Sequence, residues 1–120
     1  MEYQLIESNG VKIIDCLPDG GVIANEDDAL ALVALCGENH TDRVLLNSSN
    51  LTNDFYYLRT GLAGAVLLKF SNYHIRAAAI LEPKLVSRGH FREMVTETNQ
   101  GNQFRVFYNR ELALKWLGSL

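Results

Sequence analysis

The residues able to do chemistry are few and scattered. A bound metal needs donors whose spacing closes a coordination shell. His40, His74, His90, Cys16 and Cys36 form no Cys-x-x-Cys or His-x-x-x-His pair, so no metal is expected. A nucleotide needs a glycine-rich turn between a strand and a helix. Gly20-Gly21 precedes three carboxylates, Glu26, Asp27 and Asp28, which repel phosphate, and Gly61-Leu-Ala-Gly64 has helical spacing. Covalent catalysis needs a nucleophile, a base and an orienting group. No serine lies in a Gly-x-Ser-x-Gly elbow, and Cys16 and Cys36 both sit in apolar patterns that read as buried. Ser87 and His90 read as a helix cap and an exposed histidine. No enzyme signature and no cofactor emerge, and the balance leans away from catalysis.

One loop differs in kind. Asn47-Ser-Ser-Asn-Leu-Thr-Asn-Asp54 is rich in hydroxyl and amide groups and runs into Phe55, Tyr56 and Tyr57. It leaves the C-terminal end of an expected parallel strand, where open α/β sheets place their ligand crevices. Turn formation accounts for much of its Asn and Ser content; a functional surface is the second use such a loop can have. The candidate surface residues are Ser48, Asn50, Thr52, Asp54, Tyr57, Arg59, Thr60 and Gly61. Asn50-Leu-Thr52 fits a glycosylation sequon, which has no meaning without secretion.

The elements that must position this loop are legible as patterns. Arg43-Val-Leu-Leu-Asn47 and His74 to Leu81 carry the unbroken apolar runs of strands buried on both faces. Between them Phe55, Leu58, Leu62, Val66 and Phe70 recur at three- and four-residue steps, predicting one long helix from Asn53 to Phe70. Gly61 and Gly64 fall inside that helix, and each either allows close packing or opens a site at its N-terminal end. Strand, helix and strand make a right-handed βαβ unit.

Before this unit, Tyr3 to Glu7 and Val11 to Leu17 flank Asn9-Gly10, a hairpin signal. Val22-Ile-Ala24 is a further very short strand. Asn25 is placed to cap a helix whose acidic start suits the helix dipole, with Gly37 at its end. After the unit come a break at Glu82-Pro-Lys84, a helix capped by Ser87 with Phe91, Met94, Val95 and Thr98 on one face, and a strand over Gln103 to Tyr108. Asn109 caps a last helix carrying Leu112, Ala113, Trp116, Leu117 and Leu120. Strands alternating with helices imply an α/β fold. The expectation is one domain over 1–120: a mixed, mostly parallel sheet with flanking helices, opening with an N-terminal hairpin.

Composition removes several function classes. Residues number 120, enough for one core without disulfides or metal. The apolar share of 48% and charged share of 21% are those of an ordinary globular chain. A net charge of −3, with Lys and Arg scattered singly, argues against nucleic acid. No apolar run is long enough to span a bilayer, and Met1-Glu-Tyr-Gln does not read as a signal peptide. A cytoplasmic protein with no membrane insertion is expected. Trp116, Leu117 and Leu120 exceed what a small core needs, which makes a homodimer an open possibility.

Thr60-Gly-Leu-Ala-Gly-Ala-Val-Leu-Leu-Lys-Phe-Ser-Asn-Tyr73 and the strand after it resemble a bacterial family catalogued as a domain of unknown function, number forty-one eighty. Asn50-Leu-Thr-Asn-Asp-Phe55, Glu97-Thr-Asn-Gln-Gly101 and the last helix fit it too, so the resemblance covers essentially the whole chain. It implies no activity. More distantly, Val44 to Val66 is similar to the strand, loop and helix start of the STAS domains, the anti-sigma-factor antagonists. In those, an Asp-Ser-Ser-Gly-Leu-Gly start carries a serine phosphorylated by a partner kinase. Matching Thr60-Gly61-Leu62 to Ser-Gly-Leu puts Arg59 on that serine and Leu58 on the aspartate, so the switch residue is missing, and the loop is about three residues longer. The resemblance implies a STAS-like fold and a docking surface at that helix start, with Thr60 as an alternative phosphoacceptor.

Two functions follow. The first is a non-catalytic interaction or regulatory module whose unidentified protein partner meets Ser48 to Gly61. The second is a small-molecule binder or enzyme using the crevice beside the same loop.

Overall fold

The structure, a computed structural model, describes residues 1–87 and 89–119. Five strands form one sheet in sequence order: β1 (Tyr3–Ser8), β2 (Val11–Cys16), β3 (Arg43–Asn47), β4 (Arg76–Ile80) and β5 (Phe104–Phe107). β1 and β2 are antiparallel, joined at Asn9 and Gly10, both with positive φ (53° and 77°), the mirror-type turn that matches strand twist. β2–β3, β3–β4 and β4–β5 pair in parallel. The sheet is therefore mixed, not the mostly parallel one expected, because the hairpin sets its opening pair antiparallel.

Helices α1 (Glu26–Glu38), α3 (Leu62–Asn72) and α4 (Gly89–Thr98) connect successive parallel strands. Each connection steps to the next position in one direction, so a common right-handed crossover places all of them on one face. There Leu32 and Cys36 of α1, Ala63, Val66 and Phe70 of α3, and Phe91 and Val95 of α4 pack on Ile14, Val44, Leu46, Ala77, Ala79 and Phe104. The alternate strand positions Ile13, Leu45 and Ala78 point the other way. They are covered by α5 (Arg110–Leu117) through Ala113, Trp116 and Leu117. Trp116 and Leu117 are thus spent on the second face of the sheet and are not surplus for a dimer; Leu120 lies outside the described residues.

Asn25 and Asn109 cap α1 and α5 as their positions predict, each side chain accepting from the N–H three residues on, at 3.0 and 2.9 Å. Val22-Ile-Ala24 contributes only one bridge, Ile23 to Leu51. Gly37 falls inside α1, which ends on Asn39.

The long central helix is not continuous. α2 (Asn53–Tyr56) is one turn, Leu58–Thr60 is a 3-10 turn, and α3 begins only after Gly61, whose φ of 81° is left-handed. The Thr60 hydroxyl enforces the break: it donates to the carbonyls of Asp54 and Tyr57 at 2.6 and 2.9 Å and accepts from the Leu62 N–H at 3.3 Å. One side chain thereby closes one turn and caps the next. Neither glycine serves close packing, since a Cβ on Gly61 or Gly64 would meet open space.

Candidate functional site

Parallel strands end on one side of a sheet, so the segments leaving β3 and β4 meet there. From β3 come the Ser48–Asn50 turn, α2 and the Leu58–Thr60 turn; from β4 come the Pro83–Val86 turn and the start of α4. Between them lies an open groove of about 630 Å³. One wall is Tyr56, Tyr57, Leu58, Arg59 and Thr60, and the other is Gly89, His90 and Phe91. It continues past Tyr56 and Phe91 toward Lys84, Leu85 and Ser87.

The floor is aromatic and fixed. Phe55 is fully buried and meets Phe91 and Phe104 at ring-centroid distances of 6.1 and 6.3 Å. Tyr56 crosses Phe91 edge to face at 5.2 Å. Its hydroxyl donates to the Ser48 carbonyl at 3.1 Å, tying the groove to the turn after β3. Burial, with a further contribution from nearby Glu82, pushes the Tyr56 phenol up to about 12. It stays a neutral donor through the ordinary pH range.

The rim is exposed and carries the charges of the groove. Tyr57 is 67% exposed, and Arg59 is exposed and makes no ion pair among the described residues. His90 Nδ1 lies 3.4 Å from Glu93 Oε2, and Lys84 Nζ lies 3.1 Å from Glu82 Oε2, both pairs at the surface.

Residues 8–117 match the model of a family described as Domain of unknown function (DUF4180). The chain belongs to that family. No curated protein and no solved structure matches it.

The structure of this DUF4180 chain divides the eight residues singled out in the sequence. Tyr57, Arg59 and Thr60 come together on the groove wall, with Gly61 directly after them as the left-handed residue that releases the chain into α3. Asp54 sits exposed in the first turn of α2, where a carboxylate suits the helix dipole, and its carbonyl receives Thr60. Ser48 contributes its carbonyl to Tyr56, and Thr52 reaches back to the Ile23 carbonyl at 3.5 Å.

Asn50 does not reach the surface at all. It is 0% exposed, accepts from the Asn47 N–H at 2.8 Å and donates to the carbonyls of Leu17 and Gly21 at 2.9 and 3.0 Å. Its place in a candidate surface is corrected: its amide holds the turn after β3 to the turn after β2.

His90, Phe91 and Lys84 were missed as members of the same groove. The available signal was Glu82-Pro-Lys84, a chain break at the C-terminal end of a parallel strand, the same end as the Ser48 turn. Ser87 does not cap α4 as expected; its hydroxyl donates to the Lys84 carbonyl at 3.0 Å and closes the Pro83–Val86 turn, and Arg88 lies outside the described residues. Among the described residues no His, Cys, Asp and Glu side chains cluster as metal ligands, and no helix is long and apolar enough to cross a membrane.

Proposed function

We propose that this chain is a cytoplasmic, non-catalytic interaction module of STAS-like architecture that receives a protein partner at the groove between the Tyr56–Thr60 wall and the start of α4. The observation that carries this reading is the pairing of a rigid aromatic floor, Tyr56 on Phe91, with an exposed rim of Tyr57 and Arg59. Tyrosine and arginine are the residue types enriched where protein interfaces concentrate their binding energy. The hairpin opening and the helix start beside the groove support the STAS-like assignment. In the STAS alignment Arg59 stands where a phosphorylated serine would be, so the module docks without that switch. The Thr60 hydroxyl is committed to two backbone carbonyls, which supports a structural role for it over phosphorylation.

Affinity capture from the native host, comparing the intact chain with the Tyr57→Ala/Arg59→Ala variant, tests this. A protein recovered only with the intact chain is expected, with melting temperatures within a few degrees. Equal recovery by both forms would overturn the surface assignment.

A small-molecule ligand is the second reading, favoured by the groove volume of about 630 Å³, which falls inside the usual range for small-ligand sites. It predicts a metabolite that stabilises the fold by about 2.7 kcal/mol at a hundredfold excess over Kd. A metabolite screen without a thermal shift would remove it.

A further inference from the structure

The two edges of the sheet are treated differently. At the β5 edge, the groups of β5 that face away from β4 belong to Phe104 and Val106, because Ala77 and Leu81, on and just after β4, donate to the carbonyls of Gln103 and Phe107 at 2.8 and 3.0 Å. Asn99 occupies the Val106 position from both sides: its Oδ1 accepts from the Val106 N–H at 2.8 Å and its Nδ2 donates to the Val106 carbonyl at 3.3 Å. A side-chain amide thus fills the place of a further strand.

The β1 edge has no such cover. Leu17 N–H donates to the Glu2 carbonyl at 3.0 Å, marking Glu2 and Leu17 as a hydrogen-bonded pair. Alternation along an antiparallel ladder then makes Gln4, Ile6 and Ser8 the residues bonded to β2, and turns the N–H and C=O of Tyr3, Leu5 and Glu7 outward. Beyond the hairpin ladder, no backbone group among the described residues meets them. β1 is six residues long, contains no Lys and no Pro, pairs without a bulge, and leaves Leu5 45% exposed. β1 thus lacks the protective features that an edge kept single normally carries.

We infer that two copies of this chain join edge to edge through β1, antiparallel about a two-fold axis at Leu5, so that one sheet runs through both. In this register Leu5 faces Leu5 of the second copy, Tyr3 faces its Glu7, and Glu2 faces its Ser8. Every outward group of the strand is paired and no two acidic side chains stand opposite each other. A two-fold axis at Glu7 would set Glu7 against itself, and one at Tyr3 would leave the end of the strand unpaired. The contact is isologous and closes at two copies. Head-to-tail growth, β1 onto the β5 of another copy, requires the Val106 groups that Asn99 already holds. The groove lies over the ends of β3 and β4, away from this seam, so pairing leaves it open. The inference is independent of the function proposed for it.

Because only a strand ladder and Leu5 are buried, the dimer is small-interfaced and reversible. Sedimentation velocity on the full chain, over a concentration series reaching the millimolar range, is the direct test. The expected result is a shift from monomer to dimer. In Leu5→Pro the shift is lost while the circular dichroism spectrum is kept, since the N–H that proline removes is not one that β2 uses. Two further variants keep the test decisive if proline disturbs the hairpin. Leu5→Cys should cross-link to itself under mild oxidation, and Tyr3→Cys, which faces Glu7, should not; Cys16 and Cys36 are buried and do not compete. A chain that stays monomeric throughout, a dimer that survives in folded Leu5→Pro, or equal cross-linking by the two cysteine variants would overturn the inference.

Discussion

Arg110 grips the buried carboxylate of Asp15 with both terminal nitrogens, Nη1 to Oδ1 at 3.0 Å and Nη2 to Oδ2 at 2.5 Å. Gln4 Nε2 donates to the same carboxylate at 2.8 Å. The start of α5 is thereby fixed to β2 and β1. At its far end, Arg43 donates to the Leu117 carbonyl and Arg76 to the Trp116 carbonyl, at 3.2 and 3.5 Å. The Arg76 and Arg105 guanidinium groups each lie 5.1 Å from the Trp116 ring centroid. One short helix that must cover a whole face of the sheet is clamped at its start by its own Arg110 on a strand carboxylate and at its end by cations from the strands, which also satisfy its terminal carbonyls.

The clamp at Asp15 gives the first prediction. The Asp15 side chain is 2% exposed, so removing its partner strands a buried charge, but Arg110 is 45% exposed and water screens part of the pair. Arg110→Ala should cost about 1.5 kcal/mol, the lower end for hydrogen bonds to charged groups. Arg110→Lys should recover only part of this, because an ammonium cannot reproduce a two-point contact. The Asp15→Ala/Arg110→Ala double variant should lose less than the sum of the single losses. Urea unfolding followed by fluorescence of the single tryptophan, Trp116, reads all of these, and additive losses would remove the coupling.

Gly61 and Gly64, three residues apart, should respond with opposite sign to alanine. At both, the added methyl meets open space, so packing does not enter. Gly61 holds φ at 81°, where an L side chain is strained, and Gly61→Ala should cost about 1 kcal/mol. Gly64 lies exposed in the interior of α3, and Gly64→Ala should stabilise by about 0.5–1 kcal/mol through helix propensity and reduced freedom of the unfolded chain. Denaturation midpoints of the two variants check the pair, and a loss at Gly64 would show that its backbone is approached after all.

Much of the fold was legible because local chemistry and tertiary structure agree. Asn9-Gly10 turns the hairpin, Asn25 and Asn109 cap, and Val44 to Leu46 is buried on both faces. The unbroken helix from Asn53 to Phe70 was misread because Phe55, Leu58, Leu62, Val66 and Phe70 keep their spacing across the break. Periodicity records which residues face the core and cannot record a single left-handed residue between two turns. Thr60-Gly61 was the local signal for it. Asn50 and Tyr57 show the corresponding limit at the site. Both lie in a polar, aromatic-flanked loop, yet one amide turns inward to two carbonyls and the other residue turns outward, and composition is the same either way. Trp116 and Leu117 looked surplus because counting apolar residues does not reveal that the sheet has a second face to cover.

The two thiols give the pH-dependent prediction. Cys16 is fully buried and Cys36 is nearly so. Burial pushes Cys16 from an ordinary 9.0 to about 12, helped by the neighbouring Asp15 charge and then by Cys36, with the N-terminal ammonium opposing. Cys36 is likewise pushed to about 12 by burial and then by Asp42. Both groups hold their protons more tightly folded than unfolded. Their contribution to stability is therefore complete below pH 9 and is lost as the pH rises from there toward 12. The Cys16→Ala/Cys36→Ala variant, destabilised at neutral pH by lost packing, should show a flatter fall in melting temperature across that window than the unaltered chain. In the native protein at pH 8, Ellman's reagent should find neither thiol until denaturant is added, because the thiolate is the reacting form and both sulfurs are enclosed. Rapid labelling of the native protein would mean that the α1 packing opens readily and that the thiols titrate near their ordinary value.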